Sequence, residues 1–253
     1  MNSDGAVAAV ILAAGEGTRM KSDLAKVLHE INGFPMIVHV LNALIEVAPS
    51  RIVVVVGHQA EAVKNRLSGE DISYEGLTLA LQSERLGTGH AVMQAKPALE
   101  GFEGTIMVLT GDTPLLEKST LAGFLRFHRG SGAAATVMSA EVEDASGYGR
   151  ILRDDKGDLL GIVEHKDATE EQRKIGEYNS GMFCFESDIL FSALEKVDTT
   201  NVQGEYYLTD VMGILRSDGR RVAVFKIDNA DEVMGINDRD QLAMAERMMK
   251  GDR

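Results

Sequence analysis

The apolar positions in the first half of the chain alternate between two patterns. Residues 6–12 (AVAAVIL) and 51–56 (RIVVVV) are continuous apolar runs with a glycine shortly after each, which is typical of parallel strands buried on both faces. Residues 35–48 between them carry apolar side chains at helical spacing. The alternation continues with helix-like segments at 61–67 and 89–98 and strand-like segments at 77–81 and 105–109. This half predicts a doubly wound α/β sheet.

The second half has short strand-like segments separated by turns. Three of them, at 135–142, 151–153 and 159–163, predict a smaller antiparallel β lobe beside a mixed sheet. Further strands are predicted at 179–185 and 221–227, and helices at 188–194, 206–215 and 238–249. Since no repeat or linker interrupts the chain, we expect one domain over residues 1–237 and a C-terminal helix over 238–253. The crevice between sheet and lobe is the expected place for a ligand.

Composition limits the classes of partner. The chain has 253 residues with 39 acidic and 26 basic side chains, a net charge of −13. Such a surface repels polyanions, so we expect no nucleic acid and no anionic membrane as a partner, although a few aimed groups can still hold a small anion. Cys184 is the single cysteine. One cysteine cannot form an intrachain disulfide, and no apolar run reaches the length of about 20 residues that a membrane span needs. Both observations favour a cytoplasmic protein.

A glycine-rich loop, Gly15-Glu16-Gly17-Thr18-Arg19-Met20, follows the first predicted strand. Loops at this position present backbone N–H groups to phosphate. Met20 stands where a dinucleotide fingerprint needs Gly or Ala, and the Gly-Lys-Ser/Thr of a P-loop is missing. What remains is a turn with two nearby cations, Arg19 and Lys26, suited to a triphosphate. The alternative is a tight turn whose cations are only solvated.

Asp112 follows the strand-like run 105–109, at a position where α/β sheets hold ligands and carboxylates hold Mg²⁺. The alternative is a turn former or helix cap before Pro114. The six histidines show no ligand spacing, and we interpret them as core or surface residues.

Several segments together carry a family resemblance. LAAGEGTRM at 12–20 with Lys26 downstream resembles the signature of sugar nucleotidyltransferases, which join a sugar 1-phosphate to a nucleotide. Five more segments narrow the resemblance to the N-acetylglucosamine-1-phosphate uridyltransferases: QSERLGTGHA at 82–91, GYGRI at 147–151, EHKDAT at 164–169, QGEYYLTD at 203–210 and GINDR at 235–239. The implied fold is Rossmann-like, of the nucleotide-diphospho-sugar transferase type.

The resemblance also implies roles for individual residues. The nucleotide and its uracil would be held by Leu12, Ala13, Ala14, Gly15, Gln82, Gly87 and Thr88. The N-acetylglucosamine moiety would contact Gly149, Glu164 and Asn179. Asp112 and Asn237 would hold Mg²⁺, and Arg19 and Lys26 would be catalytic by neutralising the phosphates. Thr110 and Gly111 complete the substrate-binding set.

The implied activity is transfer of a uridylyl group from UTP to N-acetylglucosamine 1-phosphate, with UDP-N-acetylglucosamine and pyrophosphate as products. The alternatives are a single-domain enzyme for another sugar phosphate or for dTTP, and a non-catalytic sensor of UDP-sugars. The sequence departs from the family at Thr110, where a Tyr is usual. No hexapeptide repeat follows, so we expect no acetyltransferase β-helix and a monomer or weak homo-oligomer.

Overall fold

The computed structural model describes residues 5–57, 59–68, 74 and 76–251. Eleven strands lie in this part of the chain: β1 Val7–Ala13, β2 Glu30–Ile31, β3 Phe34–Pro35, β4 Arg51–Val56, β5 Leu77–Leu81, β6 Thr105–Thr110, β7 Ala135–Glu141, β8 Arg150–Arg153, β9 Leu159–Val163, β10 Glu177–Glu186 and β11 Val222–Lys226. The α-helices are α1 Met36–Ala43, α2 Ala60–Leu67, α3 Thr88–Gln94, α4 Lys118–Ser131, α5 Glu170–Arg173, α6 Ser187–Leu194, α7 Asp210–Ser217 and α8 Arg239–Lys250. Short 3₁₀ helices include Thr18–Met20 and Lys26–Leu28.

The mixed α/β architecture is confirmed, with a nine-stranded sheet at its centre. Seven strands follow one another in the order β11-β7-β10-β6-β1-β4-β5, and β8 and β9 extend the sheet from β10. β10 runs antiparallel to β6 and β7, whereas the other neighbours along the seven-strand path are parallel. The carboxyl ends of β5, β4, β1 and β6 therefore meet at one edge, where ligands bind in sheets of this kind.

The antiparallel part is smaller than the turn pattern indicates. β8 and β9 form an antiparallel ribbon, as predicted, but β7 lies inside the main sheet between β10 and β11. All of β7 except its last residue is buried. A continuous buried run does not reveal which strands flank it, because strand pairing is decided by contacts distant in sequence.

Two apolar layers cover the faces of the sheet. Alternate side chains of β1 point to opposite sides, so that Ala9 and Ile11 join one buried cluster while Ala8 and Val10 join the other. Residues of α1 and α4 pack in the first cluster, and residues of α3, α6 and α7 pack in the second. Both faces of β1 are thus covered, which explains its continuous apolar sequence.

Helix α4 was missing from the sequence prediction. Its buried side chains are Leu121, Phe124, Leu125 and His128, which are spaced three, one and three residues apart and lie on one helical face. The periodic signal is therefore present, although Gly123 and Gly130 weaken it. In the described part of the chain, no helix has the length and apolar character needed to cross a membrane.

Candidate active site

A lysine and two oxygen-bearing side chains meet at the carboxyl edge of the sheet. The Lys26 ammonium forms an ion pair with Asp112 and donates a hydrogen bond to the Asn237 side-chain oxygen, Nζ to Oδ1 3.0 Å. The three residues come from the segment after β1, the end of β6 and the start of α8. Both charged side chains are largely buried, at 13% and 17% exposed, so their attraction is less screened than at the open surface.

Backbone hydrogen bonds hold this cluster in place. The Gly111 N–H donates to the Leu12 carbonyl over 2.9 Å, and the Ile236 N–H donates to the Asp112 carbonyl over 2.9 Å. Asn237 donates from its side-chain nitrogen to the Gly235 carbonyl over 2.9 Å. Because that bond fixes the amide nitrogen, the amide oxygen of Asn237 is the atom that faces Lys26.

The glycine-rich loop lies directly against Lys26. Gly17 has φ +64°, and a Cβ placed there would lie 2.6 Å from the Lys26 Cβ. Ala14, directly after β1, is buried, while Gly15 is exposed. Arg19 lies in the 3₁₀ turn Thr18–Met20 and is also exposed, and it makes no hydrogen bond or ion pair with the described residues. Its guanidinium is thus available to an anionic ligand beside the loop.

The residues expected at the nucleobase lie around the start of α3. Gln82 is 4% exposed, and its amide nitrogen lies 3.1 Å from the Gly87 carbonyl. A Cβ on Gly87 would lie 2.5 Å from the Tyr206 carbonyl, so only glycine fits. Thr88 accepts a hydrogen bond from the Leu208 N–H over 3.0 Å. The Thr88 hydroxyl therefore links the start of α3 to the segment before α7.

The residues expected at the sugar come together on the other side of the cluster. A Cβ on Gly149 would lie 3.3 Å from a Glu164 carboxylate oxygen, and Asn179 donates its N–H to the Gly149 carbonyl over 2.8 Å. Thr209 donates to Glu164 over 2.9 Å. Burial raises the pKa of Glu164, with nearby acidic groups adding to the shift and Thr209 opposing it. A carboxylate desolvated in this way favours ligands that donate hydrogen bonds, such as sugar hydroxyls.

Thr110 lies two residues before Asp112, and Tyr148 directly precedes Gly149. The Thr110 methyl group faces Gly181, where a Cβ would lie 2.9 Å away. Gly181 has φ +81° and lies at the irregularity in the pairing of β10 with β7. Burial raises the pKa of Tyr148, the Asp112 charge raises it further, and the Arg19 charge lowers it. Tyr148 therefore lies within the electrostatic reach of both charged groups.

Asp112 and Asn237 have the chemistry of a shared metal site. Both direct oxygen atoms at one cation, the Lys26 ammonium. Mg²⁺ prefers oxygen ligands and is often held by one or two protein groups together with substrate phosphates. Within residues 5–57, 59–68, 74 and 76–251, no group of three or more His, Cys, Asp or Glu is placed to hold a metal ion. The pair therefore fits a metal whose remaining ligands come from substrate or water.

The nucleotidyl transferase family model matches residues 8–231, which is most of the chain. The chain belongs to the nucleotidyl transferase family. Nucleotidyltransferases of this family generally use a divalent metal ion. The match includes the glycine-rich loop, Lys26 and Asp112, but ends before Asn237 and α8.

Two bacterial relatives extend the comparison beyond the family model. The chain is 52% identical over 241 residues to the Bifunctional protein GlmU of Enterococcus faecalis and 52% identical over 242 residues to that of Halalkalibacterium halodurans. These alignments cover 95% and 96% of this chain but only 51% and 52% of the relatives. The chain thus spans about half the length of the curated relatives it matches.

A solved structure supports the fold. UDP-glucose pyrophosphorylase complexed with UDP-glucose superposes with a TM-score of 0.79 at 19% identity, covering 98% of this chain and all of that one. At this identity the similarity establishes the shared architecture. It agrees with the nucleotide-diphospho-sugar transferase type expected from the sequence.

The structure also contains supporting contacts that the sequence did not reveal. Gly17 packs against Lys26, Arg239 donates to two backbone carbonyls at the end of the glycine-rich loop, and Thr209 donates to Glu164. His90 lies beside Gln82, although the sequence indicated only a core or surface histidine. Gly17, His90, Thr209 and Arg239 all lie in the family motifs, which was the one signal available for them.

Proposed function

We propose that the chain transfers a uridylyl group from UTP to N-acetylglucosamine 1-phosphate, giving UDP-N-acetylglucosamine and pyrophosphate. The observation that carries the proposal is the contact of Lys26 with Asp112 and Asn237 beside the glycine-rich loop. The Lys26 ammonium and the side-chain oxygen atoms of Asp112 and Asn237 thus lie beside the loop that would hold the phosphates. A cation and metal-binding oxygen atoms at this place can neutralise phosphate charge, as nucleotidyl transfer requires. The metal in this proposal is Mg²⁺.

The choice of substrates is supported by the two ends of the site. Strands β5 and β10 are four steps apart in the sheet, about 19 Å at the usual strand spacing, which is room for base, phosphates and sugar in a row. The buried amide of Gln82 suits a pyrimidine edge. Glu164 and Asn179 suit the hydroxyl and acetamido groups of the sugar. The structurally similar pyrophosphorylase is complexed with a UDP-sugar, and the sequence motifs favour N-acetylglucosamine.

In the proposed reaction, a phosphate oxygen of the sugar phosphate attacks the α-phosphorus of UTP. The bond from that phosphorus to the bridging oxygen breaks, and pyrophosphate leaves in line with both electrons. The nucleophile is an anion near neutral pH, so the site requires no general base. Positioning and charge neutralisation therefore supply most of the rate acceleration.

The chain's own residues divide this work between them. Backbone N–H groups of the glycine-rich loop hold the triphosphate, while Arg19 and Lys26 offset the repulsion between the two anionic substrates. Gln82 orients the base, and Glu164 with Asn179 orients the sugar. A metal ion on Asp112 and Asn237 supplies further neutralisation of phosphate charge when bound.

We also propose that the enzyme works in the cytoplasm as a monomer or weak homo-oligomer. Cys184 is buried as a free thiol, which suits a reducing compartment. On α8, Ala245 packs against Ile31 and Met36 while Met244 is exposed, so the helix adds only a small apolar surface for self-association. Light scattering at increasing protein concentration tests the assembly state.

The decisive test measures pyrophosphate release from a panel of nucleoside triphosphates and sugar 1-phosphates, with and without Mg²⁺. Release that requires UTP, N-acetylglucosamine 1-phosphate and Mg²⁺ together is the expected result. Release with a different pair of substrates would contradict the substrate assignment. If folded protein binds UDP-N-acetylglucosamine but releases no pyrophosphate with any pair, the result would contradict the enzyme and favour a non-catalytic sensor.

A further inference from the structure

A glutamine alone does not tell uracil from cytosine. Uracil presents a carbonyl acceptor and the N3–H donor on its pairing edge, whereas cytosine presents an amino donor and the N3 acceptor. A glutamine amide has both a donor and an acceptor, so a half turn of the amide converts recognition of one base into recognition of the other. Selectivity therefore requires neighbours that hold the amide in one orientation.

Two neighbours lie on the nitrogen side of the Gln82 amide. Its Nε2 atom is 3.1 Å from the Gly87 carbonyl oxygen and 3.1 Å from the His90 Nδ1 atom. A carbonyl oxygen only accepts hydrogen bonds, so it identifies the amide nitrogen independently of any assignment of the amide atoms. With His90 Nδ1 as the second acceptor, both N–H groups of Gln82 are engaged. The side-chain oxygen is then left to meet the base.

His90 is itself held in place from two sides. Its ring lies 6.3 Å from the Tyr206 ring, centre to centre, and its Nε2 atom is 3.1 Å from the Gln94 amide nitrogen. A neutral imidazole has one N–H and one acceptor nitrogen. The ring therefore accepts from only one of the two amide nitrogens beside it, those of Gln82 and Gln94. The Gln82 amide is buried, with its nitrogen also at the Gly87 carbonyl, whereas Gln94 is only partly buried and can turn its side-chain oxygen to the ring, so Nδ1 is the acceptor. On turning, the Gln94 amide gives up the hydrogen bond from its nitrogen to the His90 backbone carbonyl, 3.1 Å, and its oxygen accepts from the Nε2–H of His90.

We propose that His90 is a positioning residue that makes the nucleotide site select uracil over cytosine. It does so by accepting a hydrogen bond at Nδ1 and so fixing the Gln82 side-chain oxygen towards the base, where it accepts from a ring N3–H. Cytosine, whose N3 is an acceptor, meets that oxygen with two acceptors facing each other. The inference rests on the proposed function, since it concerns the nucleotide of that same site.

The test compares two substitutions that differ in one property. His90→Leu removes the acceptor at Nδ1, whereas His90→Asn keeps an acceptor because the Asn side-chain oxygen can occupy the place of Nδ1. For each folded variant, kcat/KM is measured with UTP and with CTP at fixed sugar phosphate, and melting temperature is recorded. The KM for the sugar phosphate serves as a readout of the opposite end of the site.

We expect His90→Leu to lower the UTP/CTP ratio of kcat/KM by about tenfold, the value of one hydrogen bond. His90→Asn is expected to keep most of the wild-type ratio, and neither variant should change the KM for the sugar phosphate. An unchanged ratio in His90→Leu would overturn the proposal. So would an equal loss in His90→Asn, because the acceptor would then be irrelevant.

The same measurements separate this inference from the proposed function. Wild-type protein that prefers no uridine nucleotide in the panel contradicts the proposed function before any variant is compared. Wild-type protein that uses UTP selectively, with a selectivity that survives His90→Leu, contradicts only the role of His90. Calorimetric titration with UMP and CMP repeats the comparison without turnover.

Discussion

Individual side chains in this site depend on partners that are distant in sequence. Lys26 is held by residues 86 and 211 positions away, and its stem packs against Gly17. The glycine-rich loop, Lys26 and Asp112 were all singled out from the sequence. Their mutual contacts were not, because spacing along the chain carries no information about which loop ends meet across a sheet.

At Lys26, the ammonium charge can be removed while the stem is kept. Lys26→Met should lower kcat/KM by about 10²- to 10³-fold, because one preorganised charge that stabilises the transition state is lost. Lys64→Met is the control, since Lys64 is exposed on α2 and pairs only loosely with Glu61, at 3.8 Å. Steady-state kinetics with UTP and N-acetylglucosamine 1-phosphate provide the measurement. Near-normal turnover of folded Lys26→Met would remove Lys26 from the mechanism.

Gly17 and Gly33 separate backbone strain from contact with Lys26. Both have positive φ, +64° and +82°, but a Cβ meets Lys26 only at Gly17 and meets nothing within 4 Å at Gly33. Each Gly→Ala change should cost about 1 kcal/mol of stability through the backbone. Gly17→Ala should also lower kcat/KM, because the Lys26 side chain must move. Urea unfolding and kinetics on both variants test this, and equal activity in the two would refute the packing argument.

At the scale of elements, the predicted strands and most predicted helix starts agree with the structure to within about one or two residues, and the start of one helix does not. The parallel strands β1, β4, β5 and β6 carry continuous or nearly continuous apolar runs, and their predicted bounds agree closely with the structure. Helix α7 begins at Asp210, four residues later than predicted. The preceding segment bonds the start of α3 instead: the Gly89 N–H donates to the Tyr206 carbonyl over 2.8 Å. A tertiary contact thus delays the helix, which local periodicity does not report.

The first residue of α7 gives a prediction about pH. Burial raises the pKa of Asp210 from 3.8 to about 6, with Asp198 and Asp167 adding to the shift. A raised carboxyl pKa in the folded state stabilises the fold below about pH 4, and this stabilisation is lost as the pH rises through about 6. Above pH 6, Asp210→Asn should therefore raise the free energy of unfolding by about 1 kcal/mol, after allowance for partial solvent screening. Below pH 4 the substitution should have little effect.

Asp188→Asn is the matched control for Asp210→Asn. Asp188 lies in the first turn of α6 but is exposed, so its substitution removes only the favourable interaction of a carboxylate with the helix N-terminus. Urea titrations of both variants and the wild type at pH 4 and pH 8 provide the comparison. Equal effects of pH on the two variants would contradict the role assigned to burial at Asp210.

At the scale of the whole molecule, hydrogen bonds from α8 hold the end of the glycine-rich loop in place. The Arg239 guanidinium donates to the Met20 carbonyl over 3.1 Å and to the Lys21 carbonyl over 3.2 Å, joining α8 to the end of the glycine-rich loop. Asp238 caps the same helix by accepting from the Gln241 N–H over 2.9 Å. The position of Asn237 therefore depends on both the helix cap and the loop it faces.

Loss of the two Arg239 hydrogen bonds should weaken nucleotide binding more than sugar binding. Arg239→Ala is expected to lower the free energy of unfolding by about 1–3 kcal/mol and to raise the KM for UTP, because two charged hydrogen bonds that hold the loop disappear. Arg247→Ala, an exposed position on the same helix, is the control. If Arg239→Ala loses stability but keeps the KM for UTP, the Arg239 hydrogen bonds do not position the nucleotide site.

The sequence by itself determined the α/β class, most of the strands and the family motifs, because these depend on local periodicity and on residue types at short spacing. Only the tertiary structure decided the place of β7 in the sheet, the meeting of Lys26 with Asp112 and Asn237, and the contact of His90 with Gln82. Each of these joins segments through strand order, loop packing or hydrogen-bond direction. Such relations arise when the chain closes on itself, and the order of residues along it leaves them open.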